Sequence, residues 1–252
     1  MPTKLSAVVI ARNEEAAIGA CLDALAWCPE IIVVDSRSED ATREIAKGRG
    51  AKVIEHDWEG YGRQKNFAVA QAAHEWVLCV DADEIVSPEL RAGIEKALAQ
   101  TGSGAYQITR RNRFMGAWLR HGEGYPDRIV RLFDRRTARW SEDPVHEKVL
   151  TTGTVGKIEG DLLHESAETL ASYLEKQNRY TSLQAEALFR DGVRPSLAKL
   201  VFSPLVRFVK FYLLRGGCLD GVPGLVHIAI GCFNSFAKNA KLFGLYRGAA
   251  AR

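Results

Sequence analysis

Trp76-Val77-Leu78-Cys79-Val80-Asp81-Ala82-Asp83-Glu84 runs from a short apolar stretch into three carboxylates with only Ala82 between them. The apolar part reads as a buried strand, and in an open α/β sheet ligands bind just beyond the carboxyl ends of the strands. Two aspartates one residue apart can offer hard oxygen ligands to Mg²⁺ or Mn²⁺ and so hold a diphosphate. A plainer reading is a strand stop followed by a helix start, because Ser87 is a good N-cap and Pro88 suits the first helical position. That cap accounts for Ser87 and Pro88 but leaves Asp81 and Asp83 unexplained.

Upstream, Leu5–Ala11 reads as a fully buried strand, followed by the polar turn Arg12-Asn13-Glu14-Glu15. Ile18, Cys21, Leu22 and Leu25 then recur at the spacing of one helical face. Ile31–Asp35 is a second buried strand, again ending in an aspartate, and Ser38 is the expected N-cap of a helix toward Lys47. Ala51–His56 reads as a third strand. After Gly60-Tyr61-Gly62 a helix carries Arg63, Lys65, Asn66, Phe67 and Val69. Four strands alternating with three helices predict an α/β fold with a Rossmann-like sheet of mainly parallel strands. No G-x-G-x-x-G follows the first strand, which weighs against a nicotinamide dinucleotide enzyme.

Downstream the pattern changes. A helix is expected from Pro88 to about Gln100, then strands at Ala105–Thr109, Ile129–Phe133 and around Lys157–Leu163, the last leading to His164. Between the first two lies a long polar, glycine-rich and aromatic segment, Arg110 to Arg128, of the kind in which sites are built. Leu170, Tyr173, Leu174, Gln177 and Thr181 mark one side of a helix. Leu197–Leu214 mixes Leu, Val, Phe and Tyr with Lys199, Arg207 and Lys210, followed by Arg215. Such a basic amphipathic helix suits peripheral contact with an anionic membrane, or packing on the catalytic domain or a second subunit. Leu225–Phe236 repeats the apolar character, with Lys238 and Lys241 beside it.

At 252 residues with 46% apolar and 26% charged side chains, the chain can bury a real core. A net charge of +3 does not suggest a nucleic-acid binder. Five scattered cysteines without a C-x-x-C pair suit free thiols. No signal peptide or spanning stretch is evident, so the expected location is the cytoplasm, at the inner face of the membrane.

Val8–Glu15, Ile32–Ser36, Gln64-Lys65-Asn66 and Val80–Glu84 resemble family 2 glycosyltransferases of the GT-A fold. His121–Asp127, Arg131-Leu132-Phe133 and Val145-His146-Glu147 are similar to the lipopolysaccharide-core β-1,4-glucosyltransferase branch, and the likeness runs from about Leu5 to Lys241. The resemblance implies a GT-A domain over 1–166, with a nucleotide-sugar half (1–100) and an acceptor half (101–166). A helical, membrane-associating region over 167–252 would follow. It implies that Asp81 and Asp83 are the D-x-D pair and candidate Mg²⁺ or Mn²⁺ ligands, Asp83 the more direct and Asp81 nearer the ribose and diphosphate. His164 would complete the metal shell, although a lone histidine is more often structural. Ala11, Arg12, Asn13, Glu14 and Asp35 would line the nucleoside, and Lys65 or Arg63 would face the phosphates unless they form a solvated helix face.

Glu147 falls where the family places its catalytic base, with Asp127, Glu142 and Asp143 as competitors and His146 as a positioning residue. An inverting transfer needs one base to take the acceptor hydroxyl proton as that oxygen attacks the anomeric carbon. The implied reaction moves a hexose, glucose by resemblance, from a UDP-linked sugar to a lipid-linked saccharide such as the lipopolysaccharide inner core. The alternatives are a sugar-phosphate nucleotidyltransferase and a non-catalytic membrane-bound scaffold. Three positions depart from the family pattern: Arg37 and Ala41 stand where relatives usually have glycine, and Gly124 stands where tryptophan is common in relatives of the branch.

Overall fold

The structure is a computed structural model that describes residues 4–100, 102–143, 147–165 and 169–250. The chain divides into two compact units, one of Met1–Arg110 with Asp127–Glu165 and one of Arg111–Pro126 with Ser166–Arg252.

In the first unit, β1 (Leu5–Ala11), α1 (Ile18–Leu25), β2 (Glu30–Asp35), α2 (Thr42–Gly48), β3 (Lys52–Glu55), α3 (Tyr61–Ala70) and β4 (Trp76–Asp81) follow in order. β3, β2, β1 and β4 lie side by side, all parallel. Their registers set Ala11 opposite Asp35 and Ile10 opposite Asp81, so the acidic strand ends share one edge of the sheet. Alternation sends successive side chains to opposite faces. Leu5, Ala7 and Val9 join one core with Ile18, Cys21, Leu22 and Leu25 of α1, while Val8, Ile32 and Val34 join another with Ala68 and Val69 of α3. Each face is covered, which is why β1, β2 and β4 read as nearly unbroken apolar runs.

The other half of the sheet brings in antiparallel pairs. β5 (Glu84–Val86) leads into α4 (Pro88–Leu98), β6 (Ala105–Phe114), β7 (Ala117–Trp118), β8 (Asp127–Asp134), β9 (Ala138–Trp140), β10 (Val149–Thr151) and β11 (Val155–His164). The sheet continues from β4 through β8, β6 and β11 to β5, and β9 pairs with β10 separately. The other neighbour of β4, β8, runs the opposite way, with Leu78 opposite Leu132. Ser87 caps α4 as expected, its hydroxyl accepting from Leu90 N at 3.1 Å. Gly160, at φ +97°, lies so close to Leu90 that a Cβ would collide with its backbone, which lets β11 run tightly past the start of α4.

Ser38 does not cap α2. That helix starts at Thr42 with Ala41 at its N-cap, and the Ser38 hydroxyl is used within the preceding loop instead.

The second unit holds α5 (Leu170–Arg190), α6 (Leu197–Phe208), a π-helical turn at Val209–Leu214, a 3₁₀ turn at Gly217–Asp220 and α7 (Gly221–Ala250). α7 packs against both α5 and α6. Its interior mixes Ile228, Ile230 and Leu242 with Ser235, Asn239, Thr181 and Ala185. Of the side expected for α5, three of the five positions are used and two are not. Tyr173 meets Phe114 and His227, Gln177 accepts from Asn234 and Thr181 is buried, whereas Leu170 and Leu174 are exposed. Polar partners inside the bundle, not apolar periodicity alone, choose that side. Among the described residues no helix is long and apolar enough to cross a membrane.

Candidate active site

The edge at which β1, β2 and β4 end gathers most of the carboxylates singled out above. Asp81, last in β4, is held by Arg131, whose Nη2 lies 2.5 Å from Oδ2 and Nη1 3.3 Å from Oδ1. Burial would raise the Asp81 carboxyl, yet Arg131 and then Lys65 outweigh it and keep it well below the usual carboxylate range. Glu84, fully buried, accepts from Asp81 N at 2.9 Å and from Arg131 Nη2 at 2.9 Å, with Arg110 Nη1 at 3.5 Å. Its own pKa is raised, because burial and the neighbouring Asp81 outweigh the two arginines.

Asp83 turns to a different partner. β11 pairs antiparallel with β5, placing His164 opposite Glu84, and His164 Nε2 comes 3.0 Å from Asp83 Oδ2. The backbone closes the same contact, Glu165 N donating to Asp83 O at 3.0 Å. Burial lowers the imidazole pKa, but Asp83 more than offsets this and the net shift is upward.

Lys65, on the inner face of α3 and nearly fully buried, reaches Asp81 Oδ1 at 3.2 Å and Glu147 Oε1 at 2.9 Å. Its ammonium lies 4.6 Å from the centre of the Trp140 ring, and the Arg131 guanidinium lies 5.6 Å from the same ring. Both cations sit over an aromatic face, which attracts positive charge. α3 can approach this closely because Gly62 faces the carbonyl of Ser141, where a Cβ would collide.

On the β1–β2 side, Asp35 is buried and accepts from Ser38 N at 2.8 Å and from the Ser38 hydroxyl. Asn13, at φ +55°, donates its N–H to Ser38 Oγ, and its Oδ1 accepts from Glu39 N. Glu14 N donates to Thr42 Oγ1 at 2.8 Å. These bonds fasten the loop after β1 to the loop after β2. Burial, then the charges of Asp83, Asp40 and Asp81, push the Glu14 carboxyl up to about 7. A cleft of 550 Å³ opens beside this loop, lined by Arg37, Ser38, Glu39, Arg43, Glu55, His56 and Asp57. Ala11 and Arg12 lie at the start of the same turn, Ala11 buried and Arg12 exposed.

The structure thus brings Asp81, Lys65 and Glu147 into one ion-pair chain and Asp83 and His164 into direct contact. Arg63 is not in that group: it is exposed and pairs with Glu142 at 3.1 Å. Asp127 is held by Arg110 at 2.8 Å. His146 lies outside the described residues. No three metal-ligating side chains converge among the described residues. The Asp83–His164 pair still fits a divalent ion, since a carboxylate oxygen and an imidazole nitrogen suffice where substrate phosphates supply other ligands. Asp81 has both carboxylate oxygens engaged by Arg131 and Lys65.

Arg131 and Arg110 received no role from the sequence. The available signal was a charge inside an apolar strand, Ile129-Val130-Arg131-Leu132-Phe133, which needs a buried counter-charge. Arg131 lies one residue past the Leu78–Leu132 pair, which aims it along β4 toward Asp81.

Comparison with known proteins agrees with this architecture. The family model described as glycosyl transferase family 2 matches residues 6–153. The chain is 31% identical over 247 residues to a lipopolysaccharide core biosynthesis glycosyltransferase, LpsC, of Rhizobium meliloti, covering 95% of this chain and 92% of that one. It is 33% identical over 252 residues to an uncharacterized glycosyltransferase of Rickettsia typhi, covering 95% and 86%. Among solved structures, the mannosyltransferase PcManGT from Pyrobaculum calidifontis, in complex with GDP-Man and Mn²⁺, aligns with a TM-score of 0.53 at 15% identity, covering 95% of this chain and 85% of that one. That likeness is one of fold.

Proposed function

The chain belongs to glycosyl transferase family 2, and we propose that it is an inverting, metal-dependent hexosyltransferase acting on a lipid-linked saccharide. The donor is a nucleotide sugar, UDP-linked by the resemblance of its motifs, and the acceptor is of the lipopolysaccharide inner-core kind. The similar Rhizobium meliloti protein, described as acting in core biosynthesis, supports the acceptor class.

The observation that carries this reading is the placement of Asp83 against His164 at the strand edge where Lys65 joins Asp81 to Glu147. In the proposed site Asp83 and His164 hold Mn²⁺ or Mg²⁺ together with the diphosphate of the donor. The ion, when bound, acts as a Lewis acid that stabilises charge on the leaving diphosphate. Asp81, fixed by Arg131, stands near the ribose and diphosphate, and the loop pinned by Asp35, Ser38 and Asn13 borders the nucleoside. Glu147 takes the proton from the acceptor hydroxyl as its oxygen attacks the anomeric carbon. Lys65 moves its charge from Glu147 toward the phosphates when the donor arrives, leaving the carboxylate free to accept that proton.

The test is nucleoside diphosphate release from a panel of UDP-, GDP- and ADP-sugars by purified protein, with Mn²⁺ and with chelator. The proposal expects release from at least one donor, lost with chelator and in Asp83→Ala. Turnover that survives both would rule out the metal role. Release of pyrophosphate from a nucleoside triphosphate and sugar phosphate would favour a nucleotidyltransferase instead.

A further inference from the structure

The second unit carries an apolar surface that nothing within that unit covers. On α6 and the π-helical turn, Leu197, Val201, Leu205, Val206, Val209 and Leu213 are all exposed, and none of the residues of α6 is buried. At 100° per residue these positions fall on one half of the helix circumference. The opposite half packs on α7, where Ser203 accepts from Asn239 and Arg207 donates to Ser235, and Arg207 also donates to Glu123 outside that helix. The surface continues round the turn between the helices, where Leu214 is 79% and Leu219 72% exposed. A contiguous patch of this kind marks an interaction site.

Charge identifies the partner. From Gly192 to Arg252 the sequence has nine lysines and arginines against one acid, Asp220. Lys199 and Lys210, both exposed and about three turns apart, border the apolar half of α6 on the same side. Arg215 is exposed at the tip, between Leu214 and Leu219. The single acid is turned inward. Asp220 accepts from Arg120 N and His121 N at 2.9 Å each, and His121 Nδ1 lies 2.8 Å from its other oxygen. The outward surface of the turn is therefore leucines, Cys218 and a cation, with no negative charge presented.

We infer that this hairpin, the outer half of α6 and the turn through Leu219, docks in the interfacial layer of an anionic lipid bilayer. Leu214 and Leu219 enter the acyl boundary and Lys199, Lys210 and Arg215 meet the headgroup phosphates. A second copy of this chain is a poorer occupant. A two-fold contact of the face with itself would bring Lys199 and Lys210 to their symmetry copies, with no acid on the hairpin surface to meet them. The inference specifies the membrane surface for the lipid-borne acceptor proposed above. It does not depend on the catalytic roles, since vesicle binding needs neither donor nor acceptor.

The experiment is co-sedimentation of the full chain with phosphatidylcholine vesicles, with and without added phosphatidylglycerol, at low and high salt. The wild type should sediment with the anionic vesicles and lose binding as salt rises. Leu214→Ser/Leu219→Ser should weaken partitioning by about tenfold or more, from the lost apolar burial. Lys199→Glu/Lys210→Glu should weaken it by at least about tenfold on anionic vesicles, from the loss and reversal of two headgroup attractions. All four side chains are exposed, and matching thermal melts establish that the variants fold. Wild type remaining in the supernatant with anionic vesicles would overturn the inference, as would both variants sedimenting like wild type. A dimer in sedimentation velocity that Leu214→Ser/Leu219→Ser disperses, without vesicle binding, would assign the face to a second copy. Donor turnover in solution is read separately and tests only the catalytic reading.

Discussion

Lys65 lies between two carboxylates, 2.9 Å from Glu147 and 3.2 Å from Asp81, so one nearly buried ammonium joins the end of β4 to the residue proposed as base. Replacing it leaves Glu147 facing Asp81 without the cation between them, while Asp81 keeps Arg131. Lys65→Met should therefore cost about 1–3 kcal/mol, less than the loss of a sole buried partner. It should also weaken nucleoside diphosphate binding. Chemical denaturation and calorimetric titration with UDP and Mn²⁺ measure the two effects.

Arg131 serves Asp81 and Glu84 together from a buried position. Arg131→Met should destabilise the protein by about 3–5 kcal/mol, the usual cost of leaving a buried charge unpaired. Adding Glu84→Gln removes one of the stranded charges, so the double variant should recover part of that loss. A denaturation double-mutant cycle reads the coupling, and additive losses would contradict the network.

Arg37 adopts φ +58°, in the left-handed region, with its side chain exposed and paired to Asp57 at 2.6 Å. An L-residue pays about 1–2 kcal/mol there that glycine does not. The exposed ion pair returns at most about 1 kcal/mol. Arg37→Gly should therefore be neutral or stabilising by up to about 2 kcal/mol, whereas Arg37→Ala, which loses the pair and keeps the strain, should gain nothing. Thermal melts compare the two.

His227, on α7, meets Phe114 and Tyr173, and burial followed by Arg207 pushes its pKa down from 6.5 to about 4. Between those values the unfolded chain binds the proton more readily than the fold does, so stability rises with pH across the window. The contribution is complete above the unfolded value and is lost as pH falls toward 4. Wild type should lose about 2–4 °C in Tm for each kcal/mol of that penalty as pH drops from about 7 to 4.5. His227→Phe, which keeps the ring contacts and cannot protonate, should show a smaller drop.

The parallel half of the fold was legible because β1, β2 and β4 are largely buried on both faces and the helices show their apolar side. Asp35 and Asp81 could be set on one edge from strand ends alone. The ion-pair chain could not, since it depends on pairings between distant segments. Arg131 reaches Asp81 only through the antiparallel register of β8 on β4, and His164 reaches Asp83 only through β11 on β5. Ser38 misled as a helix cap because a hydroxyl before a helix looks the same whether it bonds the helix or a neighbouring carboxylate. The strained conformation of Arg37 gives physical content to a departure that the family resemblance marks only as a missing glycine.

In the proposed reaction Glu147, released from Lys65, accepts the acceptor proton. The most direct measurement is the rate of sugar transfer by Glu147→Gln beside Asp127→Asn, with donor affinity measured by calorimetry for each. Glu147→Gln should reduce transfer by about 10²–10⁴-fold with donor binding retained, while Asp127→Asn, whose side chain is held by Arg110, should lose far less. Transfer by Glu147→Gln at the wild-type rate, or a larger loss in Asp127→Asn, would contradict the account.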